Sequence, residues 1–232
     1  MRFLVRVAAD SLAELRDSAA ATAAAGLDGV LVTATEALPA PLVCAAALAA
    51  IDDVLIAVEV AVGDRHPLEV AEEAAVADQL ARGRLIVVAM PAPGCAGTFG
   101  EALDVVRAAR AMPPRFGPRV EVWVRGVEVD VAVRRGLGHV AEPGQDDRSL
   151  ARAWDASVGP APACARARHE AVADEPALVR RLRAGRAAWA QDWAIVTEEG
   201  RPAAARARPR VQLDTLPAGL VRHWDSLERT VG

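Results

Sequence analysis

Arg65-His66-Pro67-Leu68-Glu69-Val70-Ala71-Glu72-Glu73-Ala74-Ala75-Val76-Ala77-Asp78-Gln79-Leu80-Ala81-Arg82-Gly83-Arg84-Leu85-Ile86 joins a charged turn, an amphipathic helix and the start of a strand in one run. Outward from it in both directions the same alternation repeats. Short β-branched runs are separated by longer Ala/Leu/Glu/Arg segments, the pattern of parallel βα units rather than of hairpins. The runs predict strands at Phe3 to Ala8, Gly29 to Thr33, Val54 to Val62, Leu85 to Met90, Val120 to Arg125, Gly138 to Ala141, Ala165 to Val172 and Trp193 to Thr197. Val54-Leu55-Ile56-Ala57-Val58 and Leu85-Ile86-Val87-Val88-Ala89 are continuously apolar, as strands covered on both faces are. The sixth and seventh runs are the least regular. Gly138-His139-Val140-Ala141 is short, and Arg166, Arg168 and His169 alternate with small residues.

Eight parallel strands invite closure, so the expected fold is α/β: a compact TIM-type (β/α)8 barrel with an irregular sixth or seventh strand allowed. A chain of 232 residues suits one such domain, taken as residues 1–232. Helix punctuation agrees with this reading. Asp10 or Ser11 caps a first helix whose Leu12, Leu15 and Ala19 face one way and which Gly26 closes. Glu175-Pro176 opens a helix through Val179 and Leu182, and Leu220, His223, Trp224 and Leu227 recur at helical spacing in the last one.

The composition excludes several function classes. Apolar residues make up 53% and charged residues 25%, sufficient for a sizeable core without disulfides or metals. The net charge of -4, with Arg mixed among Asp and Glu, forms no basic stripe along which a phosphate backbone would lie. The Arg180 to Arg186 patch reads as a solvated helix face. Cys44, Cys95 and Cys164 are odd in number and far apart, with no zinc or redox pair, which favours free thiols in a reducing cytoplasm. Arg6 interrupts the apolar amino terminus, and the longest apolar run, Ala37 to Ile51, is shorter than a membrane span. The expectation is a soluble, cytoplasmic protein.

Other motifs carry little chemistry. Gly136-Leu137-Gly138-His139-Val140-Ala141 has dinucleotide-fingerprint letters, but its glycines precede a strand instead of linking strand to helix. His139 and His169 can serve proton transfer only where the fold unites them. His223 reads as packing. Gly200-Arg201 follows the last strand, where barrels often hold phosphate, although a plain turn is the better account of it. No nucleophile elbow or zinc helix is present.

The opening stretch resembles the bacterial luciferase-like flavin oxidoreductases, which read Arg-His-Pro, a helix with Ala-Glu-Glu, a Gly-Arg turn and a glycine-rich strand. Ala25-Gly26-Leu27-Asp28-Gly29-Val30-Leu31-Val32, Ala46 to Val60, Phe99-Gly100-Glu101-Ala102-Leu103 and Val122-Trp123-Val124-Arg125-Gly126, with Pro113-Pro114 before it, are similar to family segments in the same order. The resemblance implies a barrel under a flavin or deazaflavin, with a small organic substrate and no metal. It also implies dimers formed through helices at Ala45 to Ala50 and Pro67 to Leu80, and a structural part for His66 at a helix start.

Three positions depart from the family pattern. Ala34-Thr35 stands where an acid-His pair is common, and Val88, Met90 and Ala92 stand where glycines let a ring approach the backbone, with Pro91 in place of an Arg. Val58-Glu59 replaces small residues at the end of the third strand. The residues implied at the ring are therefore Glu59, Met90 and Arg125, with Glu59 the candidate acid or base and Arg201 the phosphate candidate. Two functions follow: an FMN- or deazaflavin-dependent oxidoreductase or monooxygenase, or a noncatalytic barrel subunit, needing no cofactor, that pairs with an active luciferase-like homologue.

Overall fold

The structure, a computed structural model, describes residues 2–24, 27–51, 54–109, 120–127, 129–142, 145–157, 166–171 and 193–197. All eight expected strands form, each end within one residue of the sequence reading. They are β1 (Arg2–Val7), β2 (Gly29–Val32), β3 (Leu55–Val62), β4 (Leu85–Pro91), β5 (Glu121–Arg125), β6 (Gly138–Ala141), β7 (Arg166–Ala171) and β8 (Trp193–Thr197). Between them run α1 (Leu12–Ala24), α2 (Pro41–Ala47), α3 (Pro67–Leu80), α4 (Phe99–Ala108), α5 (Val129–Arg135) and α6 (Asp147–Ser157). The strands pair in chain order, all parallel, and β1 pairs with β8 to close the barrel. The sixth and seventh strands are regular: β6 pairs with β5 from Trp123↔Gly138 to Arg125↔Val140, and β7 with β8 from Ala167↔Trp193 to Ala171↔Thr197. The helices expected near Glu175 and Leu220, and Cys164, His223, Pro113-Pro114 and Gly200-Arg201, lie outside the described residues.

Strand alternation divides the apolar residues into two cores. Leu4, Leu31, Ala57, Ile86, Val88, Trp123 and Val140, taken from six consecutive strands, fill the barrel interior. Their neighbours in sequence, among them Val30, Val32, Ile56, Val58, Val87 and Val124, face outward and pack with Leu15, Leu42, Val70 and Leu103 of the surrounding helices. The interior is tight where a large residue lies against a glycine. A side chain on Gly138 would collide with the Trp123 indole, and one on Gly29 with the Leu55 backbone.

The helix ends follow the sequence signals. Ser11 Oγ accepts from the Glu14 N–H at 3.2 Å, and Glu14 in turn accepts from the Asp10 N–H at 3.0 Å, so α1 is capped from both sides. Leu15 and Ala19 are buried as expected, whereas Leu12 is 39% exposed and lies off the packed face. His66 is the N-cap of α3, where its Nδ1 accepts from the Leu68 N–H at 3.3 Å and Pro67 occupies the first turn. Its part is structural. Gly136 has φ +62° and follows α5, with Leu137 N–H returning to Ala132 O at 2.9 Å. The glycine is a helix stop, consistent with rejecting a dinucleotide loop.

The alanines of α2 and α3 are consumed inside the chain. Ala45, Ala71, Ala74, Ala75 and Ala77 are buried, and α2 ends at Ala47, before the expected limit of Ala50. The large apolar side chains that α2 and α3 leave exposed are Val43, Leu68, Val76 and Leu80, with Glu69 and Glu72 exposed beside them on α3. Cys44 is buried behind this face, and burial pushes its thiol up from the ordinary range, which keeps it protonated at neutral pH.

Candidate functional site

The positions two residues beyond the interior core define the next layer up, at the carboxyl ends of the strands. From Leu4 the step leads to Arg6, from Leu31 to Thr33, from Ala57 to Glu59, from Val88 to Met90, from Trp123 to Arg125 and from Val140 to Glu142. Because strand side chains repeat with period two, these six share the inner face. An apolar core therefore gives way within one layer to two arginines, two glutamates, a threonine and a methionine.

The four charges form an alternating chain across the barrel mouth. Glu59 is the buried centre, with its side chain 3% exposed. One of its carboxylate oxygens, Oε2, accepts from Arg6 Nη2 at 3.3 Å, and the other, Oε1, accepts from Arg125 Nη1. Arg6 Nε also donates to Thr33 Oγ1 at 3.0 Å, which fixes the plane of its guanidinium. Arg125 presents its other edge to Glu142 as a two-pronged contact, Nε to Oε1 at 2.7 Å and Nη2 to Oε2 at 3.0 Å. Ion pairs thus link β1, β3 and β5 with the residue that follows β6.

The order of burial explains the arrangement. Moving a lone carboxylate out of water costs several kcal/mol even after relaxation. Two guanidiniums that satisfy both oxygens of Glu59 remove most of that penalty. Burial alone would pull the Arg125 guanidinium down, but the hydrogen bonds to Glu142 and the charge of Glu59 outweigh it and hold the group above its ordinary value. Among the described residues the two positive and two negative groups of the layer balance.

Of the residues that the sequence pointed to, Glu59 and Arg125 meet in this layer, and Met90 occupies an inner-face position near the end of β4. Arg201 lies outside the described residues. Sequence reasoning did not single out Arg6, Thr33 or Glu142 as site residues. Thr35, where an acid-His pair is common, joins two loops: its hydroxyl donates to Ala9 O at 2.9 Å and accepts from the Leu38 N–H at 3.0 Å. His139 is buried on β6, with Nε2 3.3 Å from Val127 O, and its register partner is Arg166. His169 stands three positions further along β7, at the opposite parity, so the register does not make the two histidines neighbours.

A cavity of about 390 Å³ lies elsewhere, outside the sheet among Ala71, Ala74, Val87, Val106 and Val122. Asp104 and Arg107 also line it, but barrel chemistry is found at the carboxyl ends of the strands. We take the charged layer as the candidate site. Among the described residues no group of His, Cys, Asp and Glu side chains suits a metal ion, and no helix is long and apolar enough to cross a membrane.

Residues 3–94, less than half of the chain, match the family model described as luciferase-like monooxygenase. No curated protein matches the chain by sequence. Among solved structures, the monooxygenase RslO1 from Streptomyces bottropensis is similar at 15% identity and a TM-score of 0.75, covering 97% of this chain and 100% of that one. Apo-MsnO8 is similar at 14% identity and a TM-score of 0.74, covering 94% of this chain and 98% of that one. The oxygenating constituent of 3,6-diketocamphane monooxygenase from Pseudomonas putida, a type II Baeyer-Villiger monooxygenase in complex with FMN, is similar at 15% identity and a TM-score of 0.58, over 75% of this chain and 67% of that one. RslO1 and MsnO8 are covered almost end to end, so the compact form of the barrel is not peculiar to this chain.

Proposed function

We propose, for a barrel whose residues 3–94 are luciferase-like, a flavin-dependent oxidoreductase or monooxygenase that acts on a small organic substrate at the charged mouth. The observation that carries this reading is the layer of Arg6, Thr33, Glu59, Met90, Arg125 and Glu142 above an apolar core, at the end of the barrel where such folds place their chemistry. The donor set fits a flavin ring. Arg6 and Arg125 offer N–H groups suited to the ring's carbonyl edge, and Met90, partly exposed, offers a polarizable apolar surface. Arg201 is the proposed partner of the phosphate.

A bound reduced flavin supplies the electrons and the oxygen activation that such a reaction needs. The protein's part is to bind and orient. Arg6 and the Nη1 end of Arg125 would hold the acceptor edge of the ring, and Thr33 and Glu59 keep both guanidiniums in place. On this reading Glu59 is a positioning residue that acts through the arginines, since both of its oxygens are engaged. Glu59→Gln removes one charge-assisted partner and is expected to weaken flavin binding about tenfold, the equivalent of about 1.4 kcal/mol. Unchanged affinity in the Glu59→Gln protein would remove Glu59 from the site.

An equilibrium titration with FMN and with the deazaflavin, each oxidised and reduced, tests the cofactor by absorbance and fluorescence. Saturable micromolar binding of one of them identifies it. A second reading, a noncatalytic subunit paired with an active luciferase-like homologue, is favoured by one observation. Val88, Met90 and Ala92 carry side chains where a ring lying close to the backbone needs glycine. No binding in any form selects that reading.

The proposal includes a dimer. Val43, at 59% exposure, Leu68, Val76 and Leu80 are exposed apolar side chains of α2 and α3 that a second copy or that homologue would cover. Light scattering after gel filtration is expected to give twice the 24.3 kDa of one chain, and Leu80→Arg to return it to one. A wild-type monomer would sink the dimer. A cytoplasmic setting completes the reading, since Cys44 and Cys95 are free thiols, and cell fractionation checks it.

A further inference from the structure

Arg125 is held by two carboxylates that differ in kind. Glu59 is strand-borne, 3% exposed, and engages Nη1 alone. Glu142 follows the last residue of β6, has its side chain 34% exposed, and takes the whole Nε/Nη2 edge with both oxygens. We propose that this edge of Arg125 is a recognition site for a monoanionic carboxylate on the substrate, for which the Glu142 carboxylate stands in.

Three observations support the exchange. First, Glu59 engages Nη1 independently of Glu142, so the guanidinium keeps one buried carboxylate when Glu142 turns away. The Nε/Nη2 edge that Glu142 now occupies at 2.7 and 3.0 Å is then open, and its planar two-point geometry selects a carboxylate over a neutral acceptor.

Second, the two carboxylates bear very different costs of release. Glu142, with its side chain 34% exposed, can return its charge to water at a smaller cost than Glu59, which at 3% exposure would keep Arg6 as its counter-charge but lose the partner of its other oxygen. The Glu142 main chain is tied separately, its N–H donating to Gln145 Oε1 at 2.8 Å, so its side chain can swing without unravelling the strand end.

Third, the charge count is conserved. Among the described residues Arg6 and Arg125 balance Glu59 and Glu142, and a ligand carboxylate that takes the place of Glu142 keeps that balance. A phosphate dianion would add one negative charge to this group, so the site discriminates between anion classes as well as between anion and neutral. Binding at the Arg125 fork is independent of the cofactor, but its service to a substrate rests on the monooxygenase reading.

The test is isothermal titration of benzoate, benzamide and inorganic phosphate into the flavin-free full chain, using wild type, Glu142→Gln and Glu142→Ala. Benzoate is expected to bind wild type weakly and saturably, and both variants at least tenfold more tightly. Benzamide and phosphate are expected to show no such gain. Arg125→Lys, which keeps the charge and loses the fork, is expected to abolish the benzoate preference. Equal benzoate affinity in wild type and the variants, or benzamide affinity that follows benzoate, overturns the proposal. Should neither Glu142 variant fold, a wild type that fails to prefer benzoate to benzamide overturns it alone. Flavin titrations on the same preparations separate the two claims: carboxylate binding without flavin binding sinks the cofactor reading and leaves this one standing, and the converse sinks this one only.

Discussion

Gly138→Ala is expected to destabilise the barrel by about 3 kcal/mol or more, the upper range for forcing a methyl into a filled core. A Cβ at this position would meet Trp123 Cγ at 2.7 Å and Nε1 at 2.8 Å, distances that real Cβ atoms do not tolerate. The indole has nowhere to retreat. Trp123 is completely buried, its Nε1 donates to Glu121 Oε1 at 2.8 Å, and it is the register partner of Gly138 across the β5–β6 ladder. Relief therefore requires the two strands to separate. The matched control is Gly97→Ala, where nothing lies within 4 Å and the backbone is in no left-handed conformation. That change should be neutral or slightly stabilising, by less than about 1 kcal/mol. Urea denaturation compares the two, and a Gly138→Ala midpoint equal to wild type would show that Trp123 is not locked.

Arg84→Met is expected to cost about 3 kcal/mol while leaving the mouth intact. Arg84 opens β4 at the amino-terminal end of the barrel, where its guanidinium donates to four main-chain carbonyls. Nε reaches Ala81 O at 2.9 Å, Nη1 reaches Ile51 O at 2.6 Å and Val54 O at 2.9 Å, and Nη2 reaches Ala49 O at 3.0 Å. Hydrogen bonds to a charged donor are worth about 1.5–3 kcal/mol each before losses to competing water, and orphaned carbonyls add their own penalty. The fork joins the turn after α2 to the turn after α3, so its loss frees both. Arg84→Lys restores the charge but cannot reach four acceptors from one ammonium, and should recover less than half of the loss. Thermal melting measures the cost, and hydrogen exchange is expected to rise at residues 49–54 with little change at β5. A variant that melts with wild type would assign the tie to water exposure instead.

The strand-helix alternation was legible because both sheet faces are covered, and the β-branched runs at Leu55–Val62 and Leu85–Pro91 admit little else. Even the polar β7 forms, since closure supplies its ladder partners on both sides. Glu59 was legible through the family resemblance, as a carboxylate where small residues are usual at the end of the third strand. The partners were not. Arg6 and Arg125 lie 53 and 66 residues away in sequence, and only barrel closure and register bring them to one carboxylate. Arg6 reads along the chain as an interruption of the amino-terminal strand, and Glu142 falls just past the end of β6. The usable signal is a polar residue two positions beyond an interior apolar one at a strand's carboxyl end. Alanine spacing in α2 marks a close contact without saying whose. Here the contact is internal, and larger residues face out.

The stretch that matches the family model ends at residue 94, in the loop after β4, and the alternating charges bridge that point. Arg6 and Glu59 come from the strands before it, Arg125 and Glu142 from those after it. A chimaera that joins the first four strands to the last four of another barrel would therefore inherit half of an electrostatic lock. Unless the incoming half supplies an arginine at the end of its first strand, Glu59 would rely on Arg6 alone, and without a carboxylate after its second strand that arginine would lack its outer partner. Exchange of half-barrels at this loop is thus restricted to donors that carry both residues, a constraint independent of how well the hydrophobic cores match.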